Sequence, residues 1–285
     1  MTNKKRNMNA AVVLGLSALG ALSGCFMPSH VESARPAAED DAMSRPFLAP
    51  LILTEDPLQD AIVRVVGSVS CTGTLISEDL VLTAHHCVVE HDESGKVLHR
   101  DLAPEVVHVE LGGDDLPWGE VSVRSIVTPA CGYEQGDGDL AILVLDRKLV
   151  GMPTFTPRLT QAPEIGEEVS PWGFGRCALS SRAVRRESRL GGKIDRVTTG
   201  LFNAEASICP GDSGGPVLTR SREVVGVISA SVMDTDPRTR GRSHFARLDK
   251  YQQLFSAAQE IASGRSASEL PPFRSCDGVP KPDAE

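Results

Sequence analysis

Residues 207–219 read SICPGDSGGPVLT, with Ser213 set among glycines and preceded by Asp212. A serine hydroxyl is a weak nucleophile at neutral pH, so if Ser213 is to attack a carbonyl it needs a base within hydrogen-bond reach. Without one it is a turn hydroxyl, of the kind glycine-rich bends collect. Two upstream stretches offer the missing groups. VLTAHHCV (81–88) puts His85 and His86 beside Cys87 at the end of an apolar run, and GDGDLAILVLD (136–146) puts Asp139 at the start of another. The chain order is therefore His, Asp, Ser. GDSGG also satisfies the Gly-x-Ser-x-Gly elbow, which needs a helix immediately after the serine. Here Pro216 follows, then the alternating run VLTRSREVVGVISA, and His244 is the only histidine beyond the serine. The elbow does not fit.

Such groups must be carried by a scaffold, and the chain around them is written in short β-like runs: AIVRVV, DLVLTA, EVVHVEL, EVSVRSIV, DLAILVL, EEVSPWGF and EVVGVISASV. Several alternate apolar and polar residues, as half-buried antiparallel strands do. Glycine (26) and proline (19) are spread along the 285 residues, and 41% of the residues are hydrophobic, enough for one sizeable core or two packed halves. The runs on either side of VGMPTFTPRLTQAP (150–163) predict two similar halves joined there. One segment differs: in RLDKYQQLFSAAQEIASG, Leu248, Tyr251, Phe255, Ala258 and Ile261 recur at helical spacing before Gly264. The formal net charge of -9 offers no basic patch for nucleic acid.

The three stretches together resemble the marks of the chymotrypsin-like (trypsin-fold) serine peptidases: Thr-Ala-x-His-Cys, Asp-Leu-Ala ahead of an apolar strand, and Gly-Asp-Ser-Gly-Gly-Pro. The resemblance covers residues 52 to about 262. It implies an all-β fold of two antiparallel six-stranded barrels with a C-terminal helix, over a domain of residues 51–263. It also implies a serine endopeptidase without a metal or other cofactor, acting on protein or peptide substrates. Carried over by residue, His86 is the general base, Asp139 its partner and Ser213 the nucleophile, with the N–H groups of Gly211 and Ser213 as the oxyanion hole. The rivals are His85 for the base, and Asp137 or Asp146 for the acid; neither acid precedes the Leu-Ala-Ile run.

The N-terminus reads as an address. A basic start, MTNKKRN, precedes the apolar run AAVVLGLSALGAL, and LSGC resembles the bacterial lipobox, in which the cysteine becomes lipidated. Residues 1–24 are then a lipoprotein signal peptide, Cys25 the lipidated residue, and 25–50 a flexible tether rich in Pro, Ala and charge. The expected location is a bacterial cell envelope, lipid-anchored on the periplasmic or outer surface, or secretion. Lipidation of Cys25 leaves six of seven cysteines, enough for three disulfides. The family resemblance pairs Cys71 with Cys87. It makes Cys177 the substitute partner of Cys209, leaving Cys131 with Cys276 to tie down the tail of residues 264–285, although other connectivities stay open.

The resemblance also implies a pocket for the residue before the scissile bond, with Ser207 at its floor and Ser229 and Ser231 on the next strand. With no acid at the floor, an uncharged side chain is expected. Ser243 is a further candidate lining residue, and Asp234 and Asp236 read as solvated loop charges. The family's activating Ile-Val-Gly-Gly-type N-terminus, whose amine pairs with the aspartate matching Asp212, has no counterpart before residue 71. Direct folding to an active form, or an unconventional activation, is expected. His91, His99 and His108 lack metal-ligand spacing. Asp114 and Asp115 read as turn residues rather than calcium ligands. The competing functional class is a catalytically inactive trypsin-fold binding protein of the envelope. Control by a protein inhibitor is left open.

Overall fold

The structure, a computed structural model, describes residues 47–48, 56–92, 97–113, 116–129, 138–176, 185–231 and 240–269. The chain divides into Met1–Asp40, which lies outside the described residues, and Asp41–Glu285. The signal peptide, Cys25 and the tail beyond residue 269 also fall outside them, as do Cys131, Asp137, Cys177, Asp234, Asp236 and Cys276. Asp114 and Asp115 lie outside as well.

Six strands, β1 (Ile62–Val66), β2 (Ser70–Ser77), β3 (Leu80–Thr83), β4 (His108–Leu111), β5 (Gly119–Val127) and β6 (Ala141–Leu145), close into an antiparallel barrel in the order β1-β2-β3-β6-β5-β4. Six more follow: β7 (Glu168–Gly173), β8 (Gly192–Val197), β9 (Leu201–Ala206), β10 (Pro216–Thr219), β11 (Val224–Ser231) and β12 (Gly241–Arg247). Their order is β7-β8-β9-β12-β11-β10, closed by pairing of β10 with β7. The second barrel thus repeats the first, and closure leaves neither barrel with an open edge. The connection between them runs through the expected linker, where Arg158 meets Glu167 through two parallel hydrogen bonds of 2.7 Å.

The strand patterns follow their surroundings. β5 alternates exposed and buried residues over its first half because its outer face meets solvent, whereas β3 and β6 are buried at every position. Their outer faces are covered by α1 (Gln252–Ala262), which returns from the second barrel to pack on β6, β5 and β3 of the first. Leu254, Phe255, Ala258 and Ile261 form its buried stripe, with Leu248 and Tyr251 just before it. At its C-terminal end Arg124 of β5 donates to the carbonyls of Ile261 (3.1 Å) and Ala262 (3.2 Å), placing positive charge at the negative end of the helix.

Because α1 belongs to one barrel in sequence and the other in space, its core residues hold the two together. Leu254 is fully buried. Leu254→Ala is expected to cost about 2–5 kcal/mol, read as a lower denaturant midpoint with an unchanged slope.

Candidate active site

His86 lies in a 3-10 turn, His85–Val88, that β3 feeds directly. The Cys71–Cys87 disulfide ties that turn back to β2, with Cα atoms 6.1 Å apart across a sequence separation of 16. Closing a loop of this size is worth about 3 kcal/mol on the chain-entropy model. The pairing expected for Cys71 and Cys87 is thus present. Cys209 is disulfide-bonded too.

Asp139 sits just ahead of β6, is 1% exposed, and grips His86 at two points. Its Oδ1 accepts the His86 backbone N–H at 2.9 Å and its Oδ2 meets His86 Nδ1 at 2.8 Å. A carboxylate can only accept, so Nδ1 carries the proton of the neutral ring and Nε2 is the basic nitrogen. Burial works against the charged form of His86, but the charge and hydrogen bond of Asp139 outweigh it and hold the His86 pKa above its usual value. For Asp139, burial favours the neutral acid. The charge of His86, and hydrogen bonds from its ring, from Ser229 and from the His86 amide, outweigh burial and hold Asp139 below the usual carboxylate range.

Ser229, expected at the substrate pocket, has a contact that expectation does not include: its hydroxyl donates to Asp139 Oδ2 at 2.5 Å. The cause is a β-bulge: Ile228 pairs with Phe245 and Ala230 with His244, so Ser229 is an extra residue opposite no partner. Bulges re-aim side chains in this way. Sequence alternation carries no mark of it.

Ser213 is held on the turn between β9 and β10 by both barrels. From β2, the Thr72 N–H donates to the Ser213 carbonyl and the Thr72 hydroxyl to that of Gly211, each at 2.8 Å. From β11, the Ile228 carbonyl accepts the Gly214 N–H at 2.8 Å. Thr72 adjoins the cysteine that clamps the His86 turn, and Ile228 adjoins the serine that holds Asp139. The restraints on all three side chains are therefore neighbours in the chain. The approach is close enough to demand glycine: a Cβ on Gly214, whose φ is +82°, would lie 2.2 Å from Thr83 Oγ1 and 2.3 Å from the Thr72 carbonyl oxygen.

The backbone donors of the turn divide into two sets. The N–H groups of Asp212, Gly214 and Gly215 donate to the carbonyls of Cys209, Ile228 and Asp212. Among the described residues, those of Gly211 and Ser213 have no acceptor. Gly211 takes φ +101°, which L side chains rarely adopt. Two unpaired donors flanking a fixed residue can receive an anionic oxygen.

Two of the rivals, His85 and Asp146, are engaged elsewhere. His85 is buried with its Nε2 2.6 Å from Asp101, and Asp146 lies beside Arg147 at 3.4 Å. Ser207 is 2% exposed and accepts the Leu190 N–H at 3.0 Å, while the hydroxyls of Ser231 and Ser243 meet at 2.9 Å. His108 lies 3.9 Å from both Glu110 and Glu120 on the first barrel, where Glu110 is already paired with Arg64 at 2.7 Å.

The family model for Trypsin matches residues 44–254. The chain belongs to the trypsin family. It is a serine-type endopeptidase. Among its relatives, serine protease sp-Eoc49 of Echis ocellatus is 25% identical over 223 residues, spanning 71% of this chain and 81% of that protein. A beta-fibrinogenase-like protein of Daboia siamensis is 24% identical over 226 residues, spanning 72% and 83%. Among solved structures the fold is similar to a Glu endopeptidase in complex with MPD, with a TM-score of 0.57, 19% identity and 73% and 95% coverage of this chain and that one. It is also similar to neuropsin, a serine protease expressed in mouse brain, with a TM-score of 0.53, 19% identity and 72% and 96% coverage.

Since burial alone depresses the His86 pKa and Asp139 reverses the effect, Asp139→Asn is expected to drop it below the ordinary histidine value near 6.5. An NMR titration of the imidazole reads this directly. An unchanged midpoint would contradict the assignment of the shift to Asp139.

Proposed function

We propose that the chain hydrolyses peptide bonds through His86, Asp139 and Ser213, by way of an acyl-enzyme. The observation that carries the reading is the double grip of Asp139 on His86, which fixes the imidazole in the tautomer whose basic nitrogen is Nε2.

In this reading the Ser213 Oγ attacks the carbonyl carbon of the scissile bond while His86 Nε2 takes its proton, and the N–H groups of Gly211 and Ser213 receive the negative oxygen. Such preset donors can each be worth about 3–4 kcal/mol. The imidazolium gives its proton to the leaving amine, and water deacylates Ser213 by the reverse path. Asp139 remains ionised throughout and stabilises the imidazolium. Ser229 keeps Asp139 in place and charged. Ser207, Ser231 and Ser243 present hydroxyls and no carboxylate, which supports a preference for an uncharged residue before the scissile bond.

We propose further that the enzyme works outside the cytoplasm, tethered to a membrane through lipidated Cys25. The Cys71–Cys87 disulfide, stable in an oxidising compartment, and the LSGC stretch support this. Labelling cells with a fatty-acid analogue should tag the chain, and Cys25→Ser should abolish the tag. Tagging that survives the substitution would remove the anchor from this position.

Turnover of a peptide library resolves the catalytic reading. Ser213→Ala and His86→Ala should each lower kcat by about 10⁴-fold or more, without additivity in the double variant. Because neutral His86 is the active form and its pKa is raised, kcat/KM should fall as pH drops, with a midpoint above the usual histidine value. A folded chain that binds peptides without cleaving them, at any pH, would favour a non-catalytic binding protein.

A further inference from the structure

Asp212, one residue before the proposed nucleophile, is fully buried with its side chain 0% exposed. It does not face His86. Its Oδ1 accepts the Gly175 N–H at 2.7 Å and Arg189 Nη2 at 2.9 Å, while its Oδ2 accepts the Cys209 N–H at 2.9 Å and Arg189 Nε at 2.8 Å. The space fits the carboxylate closely: a Cβ built on Gly173 or Gly175 would lie 2.3 or 2.5 Å from Asp212 side-chain atoms.

Arg189 is itself 2% exposed at its side chain. It is carried there by the short strand Glu187–Ser188, which pairs with the end of β7, and by its own N–H, which donates to the Pro171 carbonyl at 2.8 Å. Its remaining donors reach the Gly175 carbonyl at 2.6 Å and Glu187 at 3.0 Å. Sinking two ions this deep is costly and frequently no more stabilising than an apolar pair. What the pair does supply is geometry. A planar guanidinium bonded to both carboxylate oxygens fixes their orientation as a single mobile ammonium does not. Fixing Asp212 fixes the peptide units on either side of it, and these lead to the two unpaired N–H groups at Gly211 and Ser213.

We propose that Arg189 is a positioning residue that holds the Gly211–Ser213 turn in its receptive form from within the chain. The turn is then assembled whichever residue begins the chain, and no N-terminal cleavage is needed to form it. The consequence for catalysis rests on the peptidase reading above; the consequence for the turn does not.

Two measurements separate those parts. The first is amide hydrogen exchange of residues 209–215 in the full chain and in Arg189→Met and Arg189→Lys. Exchange in this segment should rise at least tenfold in Arg189→Met and much less in Arg189→Lys, with strands of the first barrel unchanged. Equal exchange in all three chains would overturn the proposal even if the protein has no activity. The second is turnover of a chromogenic peptide by the full chain with its starting residue verified by mass spectrometry, active sites being counted by burst titration. Activity per site should be the same before and after trimming of the N-terminus. Arg189→Met should lower kcat about 100-fold per titrated site with KM changed less than threefold, and added guanidinium should restore part of it. A purely structural role would lower the number of sites and leave kcat per site unchanged, overturning the positioning claim. Activity that arises only on trimming would overturn the claim that the turn is assembled from within.

Discussion

The site depends on one seam. Thr72 belongs to the first barrel, yet its amide and hydroxyl bind the carbonyls of Ser213 and Gly211, and its own carbonyl accepts the Thr83 hydroxyl at 2.8 Å. The Phe174 N–H closes the set on Thr72 Oγ1 at 3.0 Å. Thr72 is fully buried, and a buried polar residue is tolerated where its groups are paired. Here the partners are the Ser213 turn and the opening of the segment after β7. His86 and Asp139 come from the first barrel and Ser213 and Ser229 from the second, so without this register neither half would hold a complete set of groups.

Around the seam the barrels solve the same problem twice. In each, the order of strands brings the sixth beside the third and leaves the connecting turns to carry chemistry on a rigid base. Desolvation then gives the charges their reach. Asp139 is buried against its own preference and is kept ionised by three donors. The same burial that costs it hydration strengthens its pull on His86. Asp212 repeats the pattern with Arg189 as the cation. One carboxylate thus orients the His86 imidazole while the other orients the backbone of the Ser213 turn.

How far the sequence disclosed this differs from residue to residue. His86, Asp139 and the Ser213 turn stand out because each sits in a short local pattern. The apolar runs at β3 and β6 were clear because both faces of those strands are covered. β2, SCTGTLIS, carries no clear strand pattern: Thr72 is buried for its contacts with the other barrel and Gly73 sits against Val65 and Val81 of its own, neither of which single-strand periodicity can register. GKIDRV and GRSHFAR, at β8 and β12, show no sustained alternation and so carry no strand signal of their own. The family's pocket positions single out Ser229, but the bulge that turns its hydroxyl onto Asp139 leaves no mark in the sequence. Arg189 lies 24 residues before Ser213 in an unpatterned stretch, and only the pairing of Glu187–Ser188 with β7 delivers it beneath the turn.

The central claim is that Ser213 is a nucleophile activated by an assembled His86. The most direct measurement is to incubate the full chain with a fluorophosphonate and locate the adduct by peptide mass spectrometry, with His86→Ala run alongside. A single adduct on Ser213, formed rapidly in the parent chain and lost in His86→Ala, is the predicted result. Labelling on another residue, or none in a folded chain with its disulfides intact, would contradict the account.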